Sequence, residues 1–249
     1  MSKIANMSRI ANMSRIANKI SGADIFYNSL IRNHVKDVCI FSGGSVMPLI
    51  DKLYKSDINY YVNSNEQNVG HCATGYAKSS NRTGVALVTS GPGITNMITP
   101  MLDATNDSTP LVVFSGQVPK AAMGSNAFQE APAIEVSKPV TKWCYQPKSI
   151  FELPEVIDYA FYIANHKKKG AVHIDITKCL GNETIPESKL YKIYDYKKNV
   201  HNSVLDNRLK KKDTLKNTES KIYPNFNTYK NAMKKINSSD KPLIVLGQG

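Results

Sequence analysis

The chain has 249 residues, 41% apolar and 21% charged, with a formal net charge of +12, a length that predicts one full domain plus a fragment. That composition excludes collagen-like, coiled-coil and disulfide-framework proteins, and the longest apolar runs, residues 85–88 and 111–114, are far too short to cross a bilayer. The charge is uneven: residues 1–20 carry +4 and residues 181–240 carry +6, which leaves the remainder nearly neutral and without the basic face that nucleic acid requires.

In chain order, the first signal is a repeat, MSKIAN-MSRIAN-MSRIAN, whose six-residue period fits neither a helix nor a solenoid unit. Residues 1–21 therefore read as a low-complexity segment, either an expanded repeat or, from its Arg, Lys and Ser without acid, a transit peptide. From Gly22 the pattern becomes alternating helix and strand. Ile25, Phe26, Ser29, Leu30 and Val35 give a helical stripe, residues 38–41 an apolar strand ending in Gly43-Gly44, and residues 46–53 a helix. Strand 60–62, helix 66–78, strand 85–89, the turn Ser90-Gly91-Pro92-Gly93, a helix to about Ala104 and strand 111–115 follow, then helix 150–164 and strand 172–176. Apolar strands separated by amphipathic helices predict an α/β fold, a parallel sheet of about six strands with helices on both faces. Residues 181–225, rich in Lys and Asn, read as a solvated linker, with a short helix near 229–236 beyond it.

Cys39, Cys72, Cys144 and Cys179 lie far apart with no CxxC pair, so no zinc site is predicted and no metal ligands are assigned. Free thiols suit a reducing compartment, the cytoplasm, with a mitochondrion or plastid as the alternative if the repeat is an address.

Ligands of such sheets sit outside the carboxyl ends of the strands. Residues 41–44, 63–66, 89–93 and 115–117 fall there. Gly91 and Gly93, between a strand and a helix, allow close backbone approach to a ligand, although a tight structural turn explains them equally. Glu66 opens a helix whose next turns carry Gly70, Ala73, Gly75 and Ala77. It reads either as a carboxylate placed at a helix N-terminus for electrostatic reasons or as a buried carboxylate that shares a proton with a ring nitrogen of a ligand. Spacing does not choose between them.

The strings GADIF, FSGGSVMPLIDKL, NEQNVGHCATGYAKSS, GVALVTSGPGITNMITPMLDATNDSTPLVVFSGQVP, GSNAFQEAPAIEVSKPVTKW and GAVHIDITK, in this order, resemble the N-terminal, pyrimidine-binding domain of the acetolactate synthase large subunit, a thiamine-diphosphate enzyme. The resemblance covers residues 22–180. It implies that Glu66 hydrogen-bonds the aminopyrimidine of thiamine diphosphate and drives it to the imino form, which removes the thiazolium C2 proton. It implies that Gly43, Gly44, Pro92, Gly93 and Asn96 contact the cofactor. Gln117, Phe128, Gln129 and Lys178 match family positions that line the approach of pyruvate and a second 2-keto acid.

Departures from the family pattern accompany these matches. Ser42 replaces a proline before the glycine pair, and Asn65 replaces a histidine before the glutamate. Lys168-Lys169 replace the Arg-Pro from which the family's arginine reaches FAD; Lys lacks the planar guanidinium fork, so FAD is in doubt here. The GDG and Asn-Asn elements that hold Mg²⁺ and the diphosphate in the family do not occur, and residues 226–249 resemble an incomplete start of the family's middle domain, with a strand over 241–247. The chain is thus expected to supply one half of a site completed by a homodimer or by a chain carrying the diphosphate-binding domain. The alternative is a non-catalytic remnant or interaction module that binds a full-length homologue.

Overall fold

A computed structural model describes residues 19–190 and 226–245. The chain divides into two compact units, Met1–Tyr194 and Asp195–Gly249. The hexapeptide repeat and most of the Lys/Asn-rich linker lie outside the described residues.

In the first unit, β1 (Lys19–Ser21) leads into α1 (Gly22–Arg32) through a capping box. The Ser21 hydroxyl accepts from the Asp24 N–H at 3.0 Å while the Asp24 carboxylate accepts from the Ser21 N–H at 3.0 Å, which satisfies two N–H groups that a helix start leaves unpaired. Then come β2 (Asp37–Ile40), α2 (Met47–Tyr54), β3 (Asn59–Val62), α3 (Glu66–Ser80), β4 (Gly84–Val88), α4 (Pro92–Asn96), α5 (Ile98–Asn106) and β5 (Leu111–Gln117). The remainder is α6 (Ala133–Ser137), β6 (Trp143–Tyr145), α7 (Leu153–Asn165), β7 (Ala171–Thr177), α8 (Lys178–Asn182) and β8 (Thr184–Pro186).

Six strands form one parallel sheet in the order β3-β2-β4-β5-β7-β6. The central strands β4, β5 and β7 are buried along their whole length. Their side chains alternate between two cores, as the two-residue period of a strand demands. Val85, Leu87, Val112, Phe114, Val172 and Ile174 pack with α1, α2 and α7, whereas Ala86, Val88, Leu111, Val113 and Ala171 pack with α3, α4 and α5. Phe114 meets Phe26 edge-on, with ring centroids 5.0 Å apart.

The expected fold is therefore present, with local differences. The sixth strand is β6, a three-residue, half-buried edge whose residues show no alternation. The helix expected to run to Ala104 is two helices meeting at Met97, because Pro100 has no N–H to offer the Asn96 carbonyl. Val35 lies beyond the end of α1, buried in a turn whose N–H reaches the Leu30 carbonyl at 3.0 Å. A small antiparallel pair was not foreseen: β1 pairs with β8, Ile20 opposite Ile185, so the ordered unit takes in residues on both sides of 22–180.

In the second unit, α9 (Phe226–Asn237) exposes Phe226, Tyr229 and Met233. Residues 242–245 carry no regular secondary structure, where the sequence predicts a strand over 241–247; residues 246 and 247 lie outside the described residues. Among the described residues no helix is long and apolar enough to cross a membrane.

Phe114 is fully buried between the sheet and α1. Phe114→Ala is expected to lower stability by about 3 to 5 kcal/mol, read as a fall in the urea midpoint; a loss under about 1 kcal/mol would contradict this packing.

Candidate cofactor-binding site

The strand order reverses direction between β2 and β4: from β2 the chain steps outward to β3, then returns to the other side of β2 as β4. Connections leaving such a pair part from each other and open a crevice at the carboxyl ends. The loop after β2, with Ser42, Gly43 and Gly44, and the turn after β4, with Thr89 to Gly93, are the walls of this crevice.

The two walls touch. A Cβ on Gly43 would overlap the Thr89 side chain, so the loop can lie this close only with glycine there. Ser45 ties them: its hydroxyl lies 3.0 Å from the Thr89 hydroxyl and accepts the Ser90 N–H at 3.0 Å. At the turn itself Gly91 has φ +61, and a Cβ would stand 2.8 Å from the Gln129 carbonyl. Pro92 follows as the first residue of α4, where its missing N–H costs nothing.

Glu66 opens α3 one residue after the cap, Asn65, whose side chain accepts the Asn68 N–H at 3.0 Å. The Glu66 side chain is buried, and its Oε2 accepts from Asn96 Nδ2 at 2.9 Å. Thus a carboxylate from the loop after β3 and an amide from the end of α4 meet, thirty positions apart in sequence.

The other expected site residues are placed unequally. Gly43, Gly44, Pro92, Gly93, Asn96 and Glu66 gather at the carboxyl edge around the crevice. Gln117 ends β5, but its amide is engaged in the protein: Nε2 donates to the Ala131 carbonyl at 3.0 Å and to Asp175 Oδ2 at 3.2 Å, and Oε1 accepts the Val118 N–H at 2.9 Å. Gln129 packs over Gly91, and Phe128 beside it is 88% exposed. Lys178 begins α8, directly after β7. Lys168 does not join them. It lies in the turn between α7 and β7, at the amino edge of the sheet, a full strand length away.

Spacing singled out Thr89 and Ser115 within their strand-end segments, but it did not point to Ser45 or to a buried polar cluster beside Gln117. Asp175 Oδ1 accepts from the Ser115 hydroxyl at 2.6 Å, and its Oδ2 accepts from Gln146 Nε2 at 2.7 Å. His173 Nε2 lies 2.7 Å from Ser115 Oγ and its Nδ1 2.8 Å from Ser137 Oγ. Since the Ser115 proton goes to Asp175, His173 must be the neutral Nε2–H tautomer, accepting from Ser137 at Nδ1. Full burial pushes the His173 pKa down to about 3. Burial pushes Asp175 up to about 6, against the pull of its three hydrogen-bond donors. A cavity of about 460 Å³ lies alongside, lined by Gln117, Glu130, Glu135, Gln146 and Asp175 among others. Among the described residues no group of His, Cys, Asp and Glu is gathered as a metal site.

Residues 20–136 match the family model for the thiamine pyrophosphate enzyme N-terminal TPP binding domain. That match covers a little under half of the chain and likens this stretch to the N-terminal domain of the thiamine pyrophosphate enzymes. Among known proteins the chain is 46% identical over 159 residues to the mitochondrial acetolactate synthase catalytic subunit of Aspergillus candidus, covering 64% of this chain and 23% of that protein. The corresponding Saccharomyces cerevisiae protein is 45% identical over 160 residues, 64% of this chain and 23% of the relative. The acetolactate synthase large subunit of Lactococcus lactis is 38% identical over 168 residues, 67% of this chain and 29% of the relative. The matched stretch is the N-terminal domain of the acetolactate synthase large-subunit type, and the chain spans about a quarter of the length of these relatives. The thiamine pyrophosphate domain model covers the crevice, Glu66 and Asn96.

His173 and Asp175 make a matched pair in acid. A His depressed from 6.5 to about 3 contributes stability that is present above pH 6.5 and lost as pH falls toward 3. An Asp raised from 3.8 to about 6 contributes stability that is present below pH 3.8 and lost as pH rises through 6. Between about pH 4 and about pH 6 the two slopes oppose. His173→Gln is therefore expected to unmask a stability that falls with rising pH, by up to about 1.4 kcal/mol per pH unit, and Asp175→Asn one that rises, each relative to the unsubstituted chain in urea titrations. Parallel profiles for all three proteins would refute the assignment.

Proposed function

We propose that this chain supplies the aminopyrimidine-binding half of a thiamine diphosphate site for the condensation of pyruvate with a second 2-keto acid, a step of branched-chain amino acid synthesis. The observation that carries the proposal is the buried Glu66 carboxylate at the switch-point crevice, oriented by Asn96. The residues fit the pyrimidine half of the cofactor. Asn96 takes up one carboxylate oxygen, and the other is the one that would meet a ring nitrogen. A Cβ on Gly44 would meet nothing within 4 Å, so a flat ring has room beside the glycine pair, with Pro92 and Gly93 across the crevice.

When bound, thiamine diphosphate supplies the carbon nucleophile that adds to a 2-keto acid and the electron sink that lets carbon dioxide leave. The work of this chain is narrower. Glu66 holds a proton at the ring nitrogen, and Asn96 keeps its carboxylate aimed there. The Gly43 and Thr89 walls exclude water from one side, and Phe128, Gln129 and Lys178 face the incoming acids. Gln117, its amide already engaged, shapes that face through Ala131 and Asp175 rather than by reaching substrate. Mg²⁺ and the diphosphate would be held by oxygen ligands on a second chain or domain, carried by a partner or by another copy of a longer homologue. Lys168 stands at the opposite edge of the sheet, so no FAD contact is proposed through it. The cytoplasm is the proposed compartment, a mitochondrion or plastid being the alternative if the N-terminal repeat is an address.

By itself the chain is expected to show no tight stoichiometric binding of thiamine diphosphate with Mg²⁺ in a calorimetric titration; tight binding would overturn the half-site reading. In an assembly with a chain that carries the diphosphate-binding domain, Glu66→Gln is expected to cut acetolactate formation by about 10²- to 10⁴-fold with the circular dichroism spectrum unchanged. Retention of most activity would remove Glu66 from the chemistry.

A further inference from the structure

The loop between β5 and α6, residues 118–132, turns through three positive-φ residues, of which Gln129 is of a type that disfavours that region. Gly124 has φ +84, and two non-glycine residues are left-handed as well, Asn126 at +57 and Gln129 at +60. Backbone of this kind persists only where its surroundings over-determine it. Here one side chain does so. Glu130 folds back over the loop, its Oε1 accepting the Gly124 N–H at 2.5 Å and its Oε2 the Ala127 N–H at 3.0 Å, while its own N–H reaches the Ala127 carbonyl at 2.9 Å. Both carboxylate oxygens are thereby engaged. The Gly124 and Ala127 amides hold the Glu130 carboxyl below the usual carboxylate range, so the clamp stays charged at neutral pH.

The clamped loop is seated on the crevice wall. The Gln129 backbone covers Gly91 so closely that a Cβ there would stand 2.8 Å from its carbonyl, and the Ala131 carbonyl accepts from Gln117 at 3.0 Å. The result is an apolar ring, Phe128, held 88% exposed next to the turn that faces the cofactor site.

We propose that Glu130 is a positioning residue which, by clamping the 124–127 amides, holds Phe128 as the wall against which the apolar part of a 2-keto acid rests. It governs substrate fit, and proton transfer at Glu66 does not depend on it. This rests on the function proposed above.

Hydrogen exchange of the Gly124 and Ala127 amides in the full chain tests the clamp, and steady-state kinetics in the assembly test its consequence. Glu130→Ala is expected to speed exchange at both amides by about tenfold or more and to hasten chymotryptic cleavage after Phe128. Glu130→Gln is expected to fall between, since its amide keeps one acceptor but sets an N–H against the second donor. Kinetically, Glu130→Ala is expected to raise the 2-keto acid KM by about tenfold with little change in kcat. Unchanged exchange in Glu130→Ala overturns the clamp. Faster exchange with KM unchanged and kcat reduced overturns the substrate wall. An unsubstituted assembly that makes no acetolactate overturns the proposed function and the substrate wall with it, while the exchange rates still decide the clamp.

Discussion

The contact between Gly43 and Thr89 is the constraint on which the candidate site depends. Two loops leaving adjacent parallel strands in opposite directions would normally diverge at once. Here the absence of one Cβ lets them meet, and the Ser45 hydroxyl locks the meeting by bonding both Thr89 and the Ser90 N–H. That lock fixes the start of α4, hence the position of Asn96 at its end, hence the oxygen of Glu66 that Asn96 holds. A carboxylate that is to act on a ligand must be aimed within a few tenths of an ångström, and in this fold the position of Glu66 is set by backbone approach rather than by a long side-chain network.

Much of the architecture was legible because β4, β5 and β7 are buried on both faces and so read as unbroken apolar runs bounded by turn residues. The edge strand β6 was not, since Trp143, Cys144 and Tyr145 are half-buried, few in number and without alternation. Pro100 was visible in the sequence, but its effect appears four residues earlier, at Asn96, where a carbonyl loses its donor and the helix divides. Pairing of β1 with β8 joins segments more than 160 positions apart, and neither carries a period long enough to recognise.

For the site, sequence order placed four loops at the carboxyl edge, where the structure has them, yet spacing left Glu66 between a helix-end charge and a proton carrier. Its burial and its bond to Asn96 are what a helix-end charge alone would not need. Gln117 was placed at the correct strand end, but a terminal residue can point out of the sheet or back into it, and its amide turns back to Ala131 and Asp175. Lys168 follows a helix and precedes a strand, which puts it at the amino edge. Ser45 and Glu130 were not singled out because their bonds, to backbone N–H groups and for Ser45 also to the Thr89 hydroxyl, follow from how the chain folds and not from a residue pattern.

The central claim, that this chain is one half of a shared cofactor site, is tested most directly by affinity capture of the chain from its native source. Copurifying proteins would be identified, and the eluate assayed for acetolactate from pyruvate, thiamine diphosphate and Mg²⁺. The account expects a chain carrying a diphosphate-binding domain to copurify and acetolactate to form only when the cofactor is added. Recovery of the chain alone, with no product formed, would contradict it.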